Sequence, residues 1–377
     1  MLSGKRILII SPESWGNIRL SKHHYSIELS KRDNNVYFLN PPTFSINKNL
    51  YIENVMKNLC VIHYNQLKGI NRFPIAIRDL LYKRLAQKIL QLAKTSIDIL
   101  WTFDPYRFPD PKVFKPKLTI YHPTDIHYTK LECNLLRTTD FIFAPSSQIL
   151  NRFNTYTKKH LKINHGLADH FLKKSFDIKV HFIVNSKRIN VGLVGNLNYP
   201  YFDDDTLIFI IRNNPNIDFY FIGPREKSNL YKGRLRKRLH KSLFPMSNFF
   251  FIGPKPSTLL PDYIHQFDLF LLCYDSDKYM SELANPHKIM EFMSTGKTIV
   301  SHYIDEYRNC PELVIMSLSN DDLPQLFSEV VDRISYYNSE QKTPLIQFSI
   351  ATGNRCPVLH IHTTQGRMFQ PVSPREM

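Results

Sequence analysis

The sequence predicts an α/β protein built from two Rossmann-like domains, and two observations carry that reading. Short apolar runs alternate with helix-periodic segments along most of the 377 residues, which is the rhythm of doubly wound parallel sheets. A polar, basic stretch at residues 173–188 breaks the rhythm, which restarts at Ile189-Asn190-Val191-Gly192-Leu193-Val194-Gly195. The expected domains are residues 1–172 and 186–345. A cleft between the carboxyl ends of their strands is the expected ligand site.

In the first half, residues 6–10, 35–39, 58–64, 97–102, 118–121 and 140–144 read as strands, each flanked by Pro, Asp or Asn. Residues 21–31 read as a helix. A second helix follows Pro74, because Ile77, Leu80, Leu81, Leu85, Ile89 and Leu92 recur at helical spacing. In the second half the strand-like runs are 189–195, 217–222, 248–252, 268–273, 298–301 and 313–316. From about Ser349 helical periodicity is lost, and residues 346–377 read as an atypical tail with no assigned function.

Composition narrows the classes. Hydrophobic content of 43% and charged content of 22% are those of a soluble globular protein. No apolar run is long enough to span a bilayer, and Ile7–Ile10 is too short for a signal-peptide core. The five cysteines are scattered without metal-type spacing, so reduced thiols in a cytoplasmic protein are expected. The net charge of +16 points to anionic partners. No zinc-finger, RRM-like or helix-turn-helix signature supports nucleic acid. Residues 68–94 carry Lys68, Arg72, Arg78, Lys83, Arg84, Lys88 and Lys94 against Asp79, and residues 225–241 are similarly basic. A solvated basic face accounts for either segment; reversible contact with anionic membrane is the sharper reading of the first.

The stretch Asn285-Pro286-His287-Lys288-Ile289-Met290-Glu291-Phe292-Met293-Ser294-Thr295-Gly296 carries the strongest chemical signal. Asn285 is placed to cap a helix whose first residue is Pro286, and Gly296 to stop it. A helix start attracts anions, and Lys288 adds a cation there. Glu291 follows His287 by four residues and Lys288 by three, so the three share a face. The group suits a nucleotide diphosphate and its ribose. A capped surface helix with solvated charges is the plain alternative.

Other candidates sit at strand ends. After the first strand come Trp15, Gly16 and then Ser21-Lys22-His23-His24, with Ser21 as the expected helix cap. Cations in a first helical turn oppose the dipole and suggest an anionic partner, whereas one packed and one exposed histidine is the plain reading. Tyr121-His122-Pro123-Thr124-Asp125 puts an imidazole and a carboxylate at a sheet edge, where Asp125 or His122 can deprotonate a hydroxyl; turn chemistry is the alternative. Gly195 and Asn196 follow the first strand of the second half, and Gly195 lets backbone approach phosphate.

These motifs resemble family 4 type glycosyltransferases of the GT-B fold, in a branch of bacterial cell-surface polysaccharide synthesis. The donor-binding pattern Asn-Pro-x-Lys-x-x-Glu-(Tyr/Phe)-x-(Ala/Ser)-x-Gly-Lys-x-(Val/Ile)-Val is met in register by Asn285, Pro286, Lys288, Glu291, Phe292, Ser294, Gly296, Lys297, Ile299 and Val300. His165, Gly166, Leu167 and Phe171 resemble the segment near the domain junction, and residues 259–263 resemble the (Leu/Val)-Pro-x-Tyr helix start. The resemblance spans roughly residues 5–340. It implies a nucleotide-sugar donor held by the second domain, with Glu291 on the ribose and Lys288 on the diphosphate. It implies a glycan or lipid-linked acceptor on the first domain, and no cofactor or metal.

Two departures stand out. Asn198, Tyr199 and Pro200 occupy the loop where many members carry Arg and Lys, which shifts the diphosphate onto Lys288. The first of two glutamates separated by seven residues falls at Leu283, one position after Glu282. A non-catalytic glycan- or nucleotide-binding relative acting as a scaffold is the rival expectation.

Overall fold

The computed structural model describes residues 2–44, 50–127, 129–156, 159–172, 184–225, 235–280 and 283–340. Most of the expected boundary at 172–188 and all of the tail at 346–377 lie outside them, as does Glu282. Fourteen strands form two sheets among these residues. The first holds β1 (Arg6–Ile10), β2 (Asn35–Leu39), β3 (Tyr51–Met56), β4 (Leu59–His63), β5 (Ile99–Thr102), β6 (Leu118–Tyr121), β7 (Phe141–Ala144) and β8 (Lys159–Lys162), in the order β3-β4-β2-β1-β5-β6-β7-β8. The second holds β9 (Ile189–Val194), β10 (Ile217–Ile222), β11 (Phe249–Gly253), β12 (Leu269–Leu272), β13 (Thr298–Ser301) and β14 (Ile315–Met316), in the order β11-β10-β9-β12-β13-β14. In each sheet the order reverses beside the first strand, which opens a crevice at the carboxyl edge.

Pairing is parallel throughout the second sheet and in the first except at one edge, where β3 runs antiparallel to β4. That hairpin departs from the expected all-parallel sheet. Asn58 turns it with φ of +63°, a conformation Asn tolerates. Only β4 was legible, because Tyr51–Met56 is an edge strand with a largely exposed, polar pattern.

Helices α1 (Ser21–Lys31), α2 (Ile75–Ala93), α3 (Lys130–Thr138) and α4 (Ser147–Asn151) accompany the first sheet. With the second come α5 (Asp204–Asn213), α6 (Lys237–Leu243), α7 (Leu260–Ile264), α8 (Ser276–Tyr279), α9 (Lys288–Met293), α10 (Leu323–Asp332) and α11 (Ile334–Glu340). Apolar residues alternate across the central strands, so the first sheet has a core on each face. Ile7, Ile9 and Trp101 pack on one side; Leu8, Ile10 and Leu100 pack on the other. One continuous core built on Phe219, Phe221, Phe270 and Ile299 holds the second. Cys60, Cys133, Cys273 and Cys310 are free thiols. No helix among the described residues is long and apolar enough to cross a membrane.

Candidate functional site

Loops at the carboxyl edge of the first sheet are held by one buried guanidinium. Arg107 donates to the carbonyl of Asn40 and the hydroxyl of Tyr64, both at 2.8 Å, and to the carbonyl of Ser11. It also pairs with Asp104 at 2.5 Å. The loops after β1, β2, β4 and β5 thus share one anchor. The loop after β1 then delivers Glu13 through Leu20 toward the second domain.

Within that loop and the start of α1, several expected roles change. Leu20, not Ser21, occupies the N-cap of α1. The Ser21 hydroxyl instead donates to His165 Nδ1 at 2.7 Å, because His165 Nε2–H is committed to the carbonyl of Asn285 at 2.9 Å. His23 is fully buried. Its Nδ1 accepts from the Leu20 amide at 3.0 Å, and its ring stacks on Phe38 at 5.1 Å with Trp15 nearby at 5.5 Å. Burial, then the Lys22 charge, holds it neutral with a pKa of about 3. Lys22 is 2% exposed and lies 2.5 Å from Glu13, so its charge is already paired. Trp15 is fixed by Asn40 through its amide at 2.8 Å, and Gly16 is half-buried beside it. His24 is not the exposed member of the pair: it stacks against His287 across the cleft at 6.2 Å with the rings parallel to 2°.

Asp125 and His122 flank this loop. His122 lies in a box of aromatic rings, 4.9 Å from Phe103 and 5.8 Å from Trp101. Burial, helped by Lys22, lowers its pKa to about 3, so it stays neutral. Burial raises the Asp125 carboxyl, with Glu13 adding to the shift and Lys22 and His127 opposing it. From the second domain, Tyr199 answers both carboxylates: burial first, then Glu13 and Asp125, raise its hydroxyl. Glu13, Lys22, Asp125 and Tyr199 therefore form one polar neighbourhood between the domains.

On the facing side, α9 is shorter than expected. It spans six residues, with His287 in helical geometry at its N-cap position, so it offers no long-helix anion site. Asn285 does not cap it. The Asn285 amide donates to the carbonyl of Pro145 at 2.8 Å and to Asn164 Oδ1 at 2.7 Å, and its Oδ1 accepts from the Tyr307 hydroxyl at 3.3 Å. It clasps the two domains together. Gly296 supplies the expected stop, at φ of +66°. The shared face is present too. Glu291 is 3% exposed, with Lys288 Nζ at 2.8 Å and His287 Nδ1 at 3.3 Å. Burial works against its charged form, yet Lys288 and His287 outweigh that and hold the carboxyl at about 2.

Between these parts lies a pocket that opens to solvent. Gly195, Asn196, Lys288 and Glu291 line it, and so do Ile18, Arg19, Leu20, Tyr199 and Lys255. Arg19 and Lys255 are cations that local motif reading did not single out, so Lys288 shares this wall with two further cations among the described residues. Arg19 Nε has no hydrogen-bond partner among the described residues, nor has the amide nitrogen of Asn196, a residue 6% exposed. The floor is made by close approach of the loops after β9 and β10. Gly223 has φ of +144°, and any side chain there would collide with the Gly195 carbonyl. Gly195 after β9 and Gly223-Pro224 after β10 were the available signals for this floor. Trp15, Gly16, Ser21, Lys22, His23, His24, His122, Asp125, Asn285 and His287 are not in the cavity wall. The acidic run at Asp203 is spent locally: Asp203 caps α5, Asp204 pairs with Arg236 at 2.6 Å, and Asp205 pairs with Arg238.

No protein-family model matches the sequence, and no curated protein aligns with it. Solved structures do match the fold. A sucrose-phosphate synthase from Thermosynechococcus elongatus superposes with a TM-score of 0.66 at 11% identity, over 90% of this chain and 92% of that one. An Anabaena protein crystallised with UDP and glucose gives 0.60 at 13%, over 90% and 93%. A lipopolysaccharide outer core galactosyltransferase in its apo form gives 0.59 at 12%, over 89% and 94%. The chain thus has the GT-B architecture: two α/β domains on parallel sheets, with a cleft between them.

Proposed function

We propose that this chain is a glycosyltransferase that moves a sugar from a nucleoside diphosphate donor to a glycan or lipid-linked acceptor in surface polysaccharide synthesis, at the cytoplasmic side of a membrane. One observation carries the reading: a single cavity joins the ionised Glu291 carboxylate to the cations of Arg19, Lys255 and Lys288. A ribose diol matches a buried carboxylate that accepts two hydrogen bonds. A diphosphate matches several cations in a partly enclosed site. The fold neighbours, among them a sucrose-phosphate synthase, a galactosyltransferase and a protein crystallised with UDP and glucose, support a sugar-transfer reading.

In this reading the bond between the anomeric carbon and the diphosphate oxygen breaks, and charge grows on the leaving diphosphate. Arg19, Lys255 and Lys288 stabilise that charge where it develops. The acceptor hydroxyl forms the new bond to the anomeric carbon and passes its proton to Asp125. Burial has raised that carboxyl toward the range a general base needs. His122, held neutral among aromatic rings, orients the acceptor loop rather than taking the proton.

The test has two stages. Purified protein is melted with each nucleoside diphosphate, since a ligand specific to the native state raises Tm. The stabilising nucleotide then selects the nucleotide sugars for transfer and hydrolysis assays. No stabilisation by any nucleoside diphosphate refutes the proposal. Stabilisation without turnover on any acceptor reassigns the chain to a scaffold.

A further inference from the structure

We infer that the first turns of α2 and the loop before it form a docking surface for an anionic lipid bilayer. The surface gives the proposed lipid-linked acceptor its meeting place. It rests on exposure and charge alone, so it is testable apart from sugar transfer.

Helix α2 does not bury its whole apolar stripe. Arg78, Tyr82, Ala86 and Ile89 face the sheet. Ile75, Ile77 and Leu80 are 68%, 48% and 46% exposed, and Leu67 and Phe73 in the preceding loop are 56% and 41% exposed. Five large apolar side chains within fourteen positions (67–80) make a continuous feature rather than scattered exposure. Two, Ile77 and Leu80, share one outer face of the helix with Arg84 and Lys88, at spacings of three and four residues. The outer face is therefore apolar at its tip and cationic behind it. Lys68, Arg72, Lys83, Arg84 and Lys88 are all exposed around the tip. Asp79 is the single acid between residues 66 and 97, and Arg78 lies 2.8 Å from it. An apolar tip ringed by exposed cations complements acyl chains beneath anionic headgroups.

The platform is fixed. Asn71 donates to the Tyr106 carbonyl at 2.8 Å and accepts from the Tyr82 hydroxyl at 3.1 Å, tying the loop to α2 and to the loop after β5. Ile70 is buried beneath it. The tip also stands at a useful edge. It follows β4, which is parallel to β2 and, through it, to β1. The tip therefore leaves the same carboxyl edge as the loop carrying Glu13 and Arg19, two strand spacings or about 10 Å to the side. A bilayer meeting this tip lies beside the mouth of the cleft.

The full chain is sedimented with vesicles of phosphatidylcholine alone and with vesicles also containing phosphatidylglycerol, at low and high salt. The expected result is capture by the anionic vesicles that weakens with salt. It falls about tenfold or more in Ile77→Ser/Leu80→Ser and falls also in Lys68→Ser/Arg72→Ser. These side chains are exposed, and an unchanged Tm with an unchanged nucleoside diphosphate shift verifies the fold. Capture that the apolar double variant leaves intact overturns the inference in favour of a diffuse basic face. Wild-type protein left in the supernatant with both vesicle types at low salt overturns it outright. A dimer that Ile77→Ser/Leu80→Ser dissolves, with no vesicle capture, assigns the patch to a second copy of the chain and overturns it as well.

Discussion

At Glu291 two opposing effects meet, and the winner sets a role. Burial alone would keep this carboxyl protonated, but Lys288 and His287 lower it to about 2. It is therefore ionised at neutral pH and ready to accept from two hydroxyls. Replacing it with Gln removes a charge-assisted acceptor. We expect Glu291→Gln to weaken nucleoside diphosphate binding by about tenfold or more with a modest change in Tm; unchanged affinity by isothermal titration would sink the ribose assignment. The depressed pKa also has a stability consequence. The contribution is complete above the ordinary carboxyl value of 4.5 and is lost as pH falls toward about 2. Acidification to pH 5 should thus leave this ion pair intact. The cations make a second comparison at the same scale. Lys288 already neutralises Glu291 at 2.8 Å, whereas Arg19 Nε has no hydrogen-bond partner among the described residues. Lys288→Ala and Arg19→Ala should each lower kcat/KM by roughly 2–4 kcal/mol of transition-state stabilisation. Arg19→Ala should do so with the smaller effect on Tm, because Arg19 makes no ion pair among the described residues; wild-type turnover in both variants would remove the diphosphate from this wall.

At the scale of elements, local pattern carried the strands and failed at the caps. Alternation of apolar runs gave the central strands of both sheets, and Gly296 marked the end of α9 because a left-handed residue is a local requirement. Asn285 and Ser21 looked like caps for an equally local reason: their side chains suit a helix start. The Ser21 hydroxyl instead bonds to His165, 144 positions away, and the Asn285 side-chain oxygen accepts from the Tyr307 hydroxyl while its amide donates to Asn164. A tertiary partner took the group that a cap would have used, and no periodicity reports that. Arg19 and Lys255 were missed because a cavity wall gathers residues from loops far apart in sequence. Gly223-Pro224 directly after an apolar strand was a local signal of the floor, and it supports a prediction. Gly223→Ala places a methyl against the Gly195 carbonyl at a φ that L-residues avoid. The loop after β10 must shift at a cost of about 1–3 kcal/mol, with Gly195 displaced from the cavity floor. The expected outcome is a lower Tm together with loss of nucleotide-dependent stabilisation; a variant that melts and binds as wild type would show that the floor tolerates a side chain.

Across the whole molecule, the two domains meet through neutral histidines. His165 links the Ser21 hydroxyl of the first domain to the Asn285 carbonyl of the second, using one ring nitrogen as acceptor and the other as donor. That arrangement needs the neutral ring, and burial, reinforced by His287, lowers its pKa well below 6.5. Burial likewise lowers His24 to about 3, with His287 and His170 adding to the effect. The sign follows from proton counting. Below pH 6.5 these histidines take up protons in the unfolded chain and not in the folded one, so stability falls as pH falls. The loss reaches about 1.4 kcal/mol per pH unit for each histidine that stays neutral. Glu291 keeps its charge through this range, so it does not mask the effect. We therefore expect Tm to drop clearly between pH 7.5 and 5.5. His165→Gln should start lower at pH 7.5, because Ser21 loses its acceptor or Asn285 its donor. From that lower start it should lose less on acidification, because one titrating group is gone. A parallel pH profile for wild type and His165→Gln would show that the interdomain link does not depend on the neutral imidazole.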